Sequence, residues 1–239
     1  MKFRPCIDIH NGCVKQIVGG SLADKNSAAD ENFVSEYGGG YYAELYKSRG
    51  LSGGHIIILN PAGSEYYEAD RRQAFSALEK YPMGLQIGGG VNVDNAAEYI
   101  SHGASHVIVT SYVFKDGKIS FERLEKLCSA VGKDRVVLDL SCRRRDGKYY
   151  IVTDRWQKFT DTEVTAESIE MLRGYCDEFL IHAVDVEGKQ HGIESDIVSL
   201  LGSIDGITAT YAGGIGSYED IRKPVSYTHL RAHETVLDL

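Results

Sequence analysis

The sequence predicts an α/β protein of one domain, a (βα)8 (TIM) barrel made of two half-barrel repeats. Apolar runs alternate with segments of helical periodicity, which favours parallel strands joined by helical crossovers. A glycine turn at Gly89 and Gly90 returns 124 residues later at Gly213 and Gly214. An apolar run around Asp8 returns after 131 residues at 137–140. Two similar offsets in 239 residues indicate a duplicated chain near the ~250 residues typical of this barrel.

The first repeat carries four strand and helix units. Strands are predicted at residues 3–9, 55–59, 85–87 and 106–110, and helices at 41–48 and 69–81. The insertion at 11–40 contains Gly19-Gly20 and is expected to form a hairpin or a flap. Asn92 or Asp94 is expected to cap a helix that uses the apolar residues of 96–100 on one face and ends at Gly103. Ser120 is expected to cap the fourth helix, which ends at Gly132.

The second repeat is incomplete by pattern. Strands are predicted at 135–140, 179–183 and 207–212, with helices from Thr165 and over 195–201. A seventh helix from Ser217 meets Pro224 within two turns, which ends it. We therefore assign residues 1–223 to an incomplete barrel domain and interpret 224–239 as an atypical tail, either foreign sequence or a divergent terminus. The last βα unit is expected to be missing or replaced, which would leave open edges on strands 1 and 7.

Composition excludes several classes of function. A net charge of −8 argues against nonspecific nucleic-acid binding, which needs a positive field. The sequence has neither an apolar run of about 20 residues nor room for a signal peptide before the first strand, so no membrane contact and a cytoplasmic location are expected. Five cysteines without a C-x-x-C pair indicate reduced thiols, and no metal site is predicted.

Two carboxylates are the candidate catalytic residues. Asp8 and Asp139 lie near the carboxyl ends of strands 1 and 5, where barrel active sites form. On opposite sides of the mouth they suit a general acid and a general base acting on two faces of one substrate. The alternative is that each carboxylate only caps a loop or a helix.

Several motifs, in order and at matching spacing, carry a resemblance to a known family. The chain resembles the aldose–ketose isomerases of histidine biosynthesis, in the version of fungi and plants. The resemblance covers about residues 1–223 and rests on PCIDIHNG (5–12), VGG (18–20), QIGGGV (86–91), VLDL (137–140), LIHA (180–183) with DVEG (185–188), and AGGI (212–215).

This resemblance implies an Amadori rearrangement without a cofactor. The substrate would be the bisphosphorylated phosphoribosylformimino aminoimidazole carboxamide ribotide, whose aminoaldose becomes an aminoketose. By analogy, Asp139 is the acid that protonates the ribose ring oxygen, and Asp8 is the base that removes the C2 proton. By the same analogy the protein is expected to be a monomer, as family members of this type usually are.

Two phosphates would account for two glycine turns. Gly89 and Gly90 would hold one phosphate and Gly213 and Gly214 the other, although each pair alone could be only a tight turn. Hydroxyl donors and an aromatic side chain complete the predicted site. They are Thr110 and Ser111 after strand 4, and Trp156, which either stacks on the aminoimidazole or serves as a core or lid residue.

The sequence departs from the bacterial pattern at two places. Ala183 follows His182 where a hydroxyl-bearing Thr is expected, so Asp185 or another group would substitute. Asn92 replaces an Arg after the first glycine turn. His182 itself is interpreted as a structural histidine. The side chains at 143–145 could reach a phosphate or only be solvated, and a metal site at His229 and His233 is not favoured.

Two other functions remain open. The related imidazole glycerol phosphate cyclase shares two aspartates and two phosphate sites, but CIDIHNG argues against it. A noncatalytic phosphate-binding remnant would keep both glycine turns on an open barrel. A nicotinamide or flavin enzyme is not favoured, since no G-x-G-x-x-G follows a first strand.

Overall fold

A computed structural model describes residues 3–17, 31–187, 192–215, 217, 220 and 230–235. The strands are β1 (Phe3–His10), β2 (Cys13–Ile17), β3 (Glu31–Val34), β4 (Gly54–Ile58), β5 (Leu85–Gly88), β6 (Val107–Val109), β7 (Phe114–Lys115), β8 (Lys118–Ile119), β9 (Val136–Asp139), β10 (Cys142–Arg145), β11 (Lys148–Thr153), β12 (Lys158–Glu163), β13 (Glu178–His182), β14 (Ala209–Ala212) and β15 (Leu230–Thr235). The helices are α1 (Gly39–Ser48), α2 (Tyr67–Lys80), α3 (Ala96–Ser101), α4 (Phe121–Val131), α5 (Ala166–Leu172) and α6 (Ser195–Gly202).

Eight parallel strands form the barrel. Their order is β15-β14-β13-β9-β6-β5-β4-β1, and β15 pairs with β1 to complete the ring. This architecture confirms the predicted (βα)8 class, and the predicted elements lie within a few residues of the observed ones. Strands β1 and β9 are four positions apart in either direction around the ring, so they lie on opposite sides of it.

The eighth strand comes from the tail. β15 runs parallel to both neighbours, with Ala232 opposite Phe3 on β1 and opposite Tyr211 on β14. We expected open edges on the first and seventh barrel strands, which are β1 and β14. This expectation is wrong, because residues 230–235 satisfy the backbone hydrogen bonds of both strands. The predicted seventh helix from Ser217 lies mostly outside the described residues.

Alternating side chains separate the outer core from the barrel interior. Val136 and Leu138 of β9 belong to the large core between strands and helices, whereas Val137 packs with Ile108 and Leu180 in a small inner cluster. This follows from the two-residue period of a strand. The inner cluster forms the middle layer of the interior, as expected for a barrel filled by side chains.

A buried polar layer lies below that cluster, at the amino ends of the strands. Arg4 of β1 forms a 2.8 Å ion pair with Glu178 of β13. Gln86 of β5 donates to the same carboxylate at 3.1 Å, and Thr210 of β14 also donates to it. These bonds satisfy a charge pair that would be costly if left incomplete, and they tie four strands together.

Two excursions leave the barrel on its carboxyl side. β2 and β3 form the hairpin expected in the first insertion, while residues 18–30 of that insertion lie outside the described residues. After β9, the strands β10, β11 and β12 form an antiparallel sheet, for which we predicted no strands. Its turns place residues over the barrel mouth.

Helix α3 differs from its prediction in its first turn. Neither Asn92 nor Asp94 caps it, because the N-cap residue is Asn95, whose side chain makes no capping bond to the helix. Asn95 instead accepts a hydrogen bond from the backbone N–H of Asn92 at 2.9 Å. Ala97 is exposed rather than on the buried face. The Ser120 cap is confirmed, with its hydroxyl accepting from the Arg123 N–H at 3.4 Å.

None of the helices within the described ranges is long and apolar enough to cross a bilayer.

Candidate active site

Polar side chains form the top layer of the barrel interior. Asp8 on β1, Asp139 on β9 and His182 on β13 each lie two residues beyond a buried interior residue of the same strand. The two-residue period therefore points all three into the mouth. Thr110 follows the inner-cluster residue Ile108 by the same spacing. These four side chains are half-buried, whereas the inner cluster below them is buried.

Among the described residues, a thiol is the hydrogen-bond donor to Asp8. The buried Cys6 thiol, two residues earlier on the same face, donates to its Oδ1 at 3.0 Å. Burial raises the pKa of Asp8 to about 6; the Cys6 bond and the charge of His182 lower it, and Glu187 raises it. A carboxyl with a pKa near neutrality can both accept and release a proton.

Asp139 accepts hydrogen bonds at both oxygens. The Ser141 N–H and hydroxyl donate to Oδ1 at 2.8 and 2.7 Å, and the Thr110 hydroxyl donates to Oδ2 at 2.8 Å. Burial raises the pKa of this carboxyl, while His182 and the three donors lower it. Sequence reasoning missed Ser141, although its position two residues after Asp139 was a usable signal for an Asx-type turn.

His182 is an ion-paired residue of the barrel mouth. Its Nε2 lies 2.9 Å from Glu187 Oε2. Burial lowers the pKa of His182, but the charge and hydrogen bond of Glu187, together with Asp139 and Asp8, raise it to about 9. A positive imidazolium therefore accompanies the carboxylates at neutral pH, so that their negative charges are partly compensated.

Trp156 lies between β11 and β12 and reaches back to this centre. Its Nε1–H donates to Ser141 Oγ at 3.1 Å, and its ring meets the His182 ring edge-on with centroids 4.8 Å apart. Ser111 is exposed and holds the same turn, because its hydroxyl accepts from the Asp154 N–H at 3.0 Å. The structure thus connects Trp156 and Ser111 through one segment.

The first glycine turn leaves strand β5. Gly89 and Gly90 have φ of 96° and 68°, in the left-handed region that glycine tolerates best. A Cβ on Gly89 would overlap the carbonyl oxygen of Ile58, while a Cβ on Gly90 would meet open space. Asn95 donates to the Gly90 carbonyl at 3.1 Å and holds the turn.

The second glycine turn leaves strand β14 with the same backbone form. Gly213 and Gly214 have φ of 112° and 77°. A Cβ on Gly213 would lie 2.7 Å from the Ala183 carbonyl oxygen, and one on Gly214 would lie 2.9 Å from Val186. Both turns are therefore restricted to glycine, one by strand β4 and the other by the segment after β13.

The structure shows the contacts of several other residues that the sequence pointed to. Asp185, the proposed substitute for the missing hydroxyl at Ala183, accepts at its two oxygens from Arg143 Nε at 2.9 Å and from the Arg144 N–H at 2.8 Å. Arg145 lies over the rings of Tyr150 and Phe159. His229 and the side chain of His233 lie outside what the structure describes.

Comparison with known proteins identifies the family. A family described as "Histidine biosynthesis protein" matches residues 2–232. The chain belongs to this family. Among its members, the chloroplastic protein of Medicago truncatula is 52% identical over 227 residues, which cover 93% of this chain and 71% of that protein. It is named 1-(5-phosphoribosyl)-5-((5-phosphoribosylamino)methylideneamino) imidazole-4-carboxamide isomerase.

Fungal members of the histidine biosynthesis family carry the same isomerase name. The protein of Yarrowia lipolytica is 48% identical over 236 residues, covering 95% of this chain and 87% of its own length. That of Saccharomyces cerevisiae is 44% identical over 235 residues, with the same coverage. The resemblance to the fungal and plant version of the family is confirmed.

Proposed function

We propose that this chain is the isomerase of histidine biosynthesis that converts the phosphoribosylformimino aminoimidazole carboxamide ribotide from an aminoaldose to an aminoketose. The observation that carries the proposal is the placement of Asp8 and Asp139 at the carboxyl ends of strands on opposite sides of the ring. A substrate lying across the mouth presents its two faces to the two carboxyls. Relatives with this enzyme name at 44–52% identity support the assignment over the cyclase.

The proposed reaction is an acid–base Amadori rearrangement. Asp139 donates a proton to the ribose ring oxygen as the bond from C1 to that oxygen breaks, which gives an open-chain Schiff base. Asp8 then removes the proton from C2, and the resulting enol of the aminoketose tautomerises to the ketone. Burial raises the pKa of both carboxyls above the ordinary range, which supports proton transfer by both. No electrons leave the substrate, so the proposed steps use no cofactor.

The two phosphates of the ribotide are proposed to bind at the two glycine turns. At Gly89 and Gly90, and at Gly213 and Gly214, backbone with positive φ turns N–H groups toward a concave surface that an anion can occupy. Thr110 and Ser111 are proposed as further substrate-binding residues, and Trp156 as the aromatic contact for the aminoimidazole. In the structure the Thr110 hydroxyl is bonded to Asp139, the Ser111 hydroxyl to the Asp154 N–H, and the Trp156 indole to Ser141. Substrate binding would share or exchange these hydrogen bonds.

The division of the chain into a barrel domain of 1–223 and an atypical tail of 224–239 also remains a proposal. Strand β15 supports the view that the tail serves as a replacement for the last unit, since it pairs with both neighbours. A monomeric state, a cytoplasmic location and the lack of nucleic-acid partners are kept as predictions with this function.

The test is isomerase turnover by the purified 239-residue chain, measured on the synthetic ribotide without glutamine or ammonia. A matched chain replaces the residues after Lys223 by a complete eighth strand and helix. Turnover by either chain supports the isomerase. Folding and ribotide binding by both chains without turnover would reject it and favour the noncatalytic phosphate-binding alternative. A comparison of the two rates shows whether β15 is an adequate substitute.

A further inference from the structure

Ser141 carries a hydrogen-bond arrangement with only one possible direction. Its side chain is fully buried, and its hydroxyl lies 2.7 Å from Asp139 Oδ1 and 3.1 Å from Trp156 Nε1. An indole N–H is only a donor, so the serine oxygen accepts from Trp156. The single hydroxyl proton is then available for Asp139. The chain of bonds runs from Trp156 through Ser141 to Asp139.

This direction determines which oxygen of Asp139 can carry a proton. Oδ1 already accepts from the Ser141 hydroxyl and from its backbone N–H, so both donors oppose protonation there. Among the described residues, Oδ2 accepts only from the hydroxyl of Thr110, which can rotate from donor to acceptor. A protonated Asp139 therefore carries its proton on Oδ2.

The segment that presents Trp156 is held in a strained conformation. Asp154, Arg155 and Trp156 have φ of 51°, 56° and 66°, three successive left-handed residues without a glycine. A residue without glycine's freedom is strained in this conformation and persists there only where the surroundings hold it. The Ser111 bond to the Asp154 N–H holds the start of this turn, and the Ser141 bond to the indole holds its end.

We propose that Ser141 is a positioning residue. Its single hydroxyl fixes the orientation of the Asp139 carboxyl and of the Trp156 indole at the same time. With Oδ1 unprotonated, the Ser141 hydroxyl donates to Asp139 while its oxygen accepts from the indole, so one residue holds both side chains at once. The roles of Asp139 and Trp156 in this inference rest on the proposed function, whereas the coupling itself does not.

A spectroscopic experiment tests the coupling without any turnover. Trp156 is the sole tryptophan of the chain, so intrinsic fluorescence reports on this ring alone. In the ligand-free 239-residue protein, Ser141→Ala should shift the emission to longer wavelength and increase quenching by acrylamide, because the indole loses its buried partner. An unchanged emission and unchanged quenching in the folded variant would overturn the coupling.

Ser105 offers a matched control. It too is a buried serine whose hydroxyl bridges two groups, the Leu85 carbonyl at 2.9 Å and His106 Nδ1 at 3.1 Å, at the opposite end of the barrel strands. Ser105→Ala should lower the free energy of unfolding by a similar amount. Its tryptophan fluorescence and its kinetics should remain those of the parent chain. If Ser105→Ala shifts the emission as much as Ser141→Ala does, the effect is general loosening and the proposal fails.

Kinetics of a double-mutant cycle then test the positioning role. Trp156→Phe keeps an aromatic ring but removes the N–H donor. Each of Ser141→Ala and Trp156→Phe should lower kcat/KM about 10- to 100-fold, and the double variant should lose little beyond Ser141→Ala alone. Ser141→Thr keeps the hydroxyl and should recover part of the loss. Losses that multiply in the double variant would overturn the proposal.

The fluorescence and turnover measurements distinguish failure of the Ser141 coupling from failure of the proposed isomerase function. A fluorescence change with no turnover by any chain would reject the isomerase and keep the coupling. Turnover with unchanged fluorescence in Ser141→Ala would reject the coupling and keep the isomerase.

Discussion

The two candidate catalytic carboxyls occupy matching places in the two halves of the barrel and have different surroundings. Asp8, near the end of β1, accepts from one thiol among the described residues, that of Cys6. Asp139 near the end of β9 accepts from two hydroxyls and a backbone N–H. Both are half-buried at the mouth, and burial raises the pKa of each carboxyl, that of Asp8 to about 6. Duplication alone would place equivalent groups, so the difference arises from the residues around them.

This difference is suited to a division of roles. A thiol is a weak hydrogen-bond donor, so Asp8 remains a comparatively strong base once it is ionised. Three stronger donors fix the orientation of Asp139, so a proton on its Oδ2 has a defined direction. The four predictions below separate these two environments, from the largest expected effect to the smallest.

Removing either carboxyl should have the largest effect. Asp8→Asn and Asp139→Asn should each lower turnover by about 10²- to 10⁴-fold, because each removes one proton-transfer step. Both variants should fold, since Asn keeps the shape of Asp, and circular dichroism checks this. Near-normal turnover in a folded variant would contradict the role of that residue.

The pH dependence of the parent chain should show the raised pKa of Asp8. The base must be ionised, so log kcat/KM should fall with unit slope as the pH drops below about 6. Burial is the main cause of this value. A profile that stays flat down to pH 4.5 would show an ordinary carboxyl and remove Asp8 from the role of base.

Thr110→Val should act on the Asp139 side alone. It removes the donor to Oδ2, and loss of a donor to the charged form raises the pKa of the carboxyl. The basic limb of the pH profile should therefore move upward, while kcat falls about tenfold from lost orientation. The acidic limb should remain in place; a shift there would show that the two carboxyls titrate as one unit.

Cys6→Ala should act on the Asp8 side and have the smallest effect. Without the thiol bond the pKa of Asp8 rises, so the acidic limb should move upward and activity near pH 6 should fall a few-fold, with little change at pH 8. Cys128→Ala is the matched control, because its thiol donates to the Tyr175 carbonyl, outside the barrel mouth. An equal effect of both variants on the acidic limb would exclude a specific role for Cys6.

The local pattern was enough to predict most of the barrel. Apolar period, glycine turns and capping residues such as Ser120 act over a few residues, so they can be recognised without knowledge of distant contacts. Asp8, Asp139 and the two glycine pairs were found in the same way, because their positions at strand ends are local facts. The family motifs then added the chemistry.

What only the tertiary structure decided depends on contacts between distant segments. The last βα unit was expected to be missing or replaced, with open edges beside it, yet residues 230–235 lie between β14 and β1, since backbone pairing requires little of the sequence. The bond from Trp156 to Ser141 joins residues 15 positions apart through a sheet whose strands we did not predict. The pKa of Asp8 likewise depends on burial by the whole ring. Sequence determined which groups are present and at which strand ends, whereas the closed barrel decided which of them share a proton or a charge.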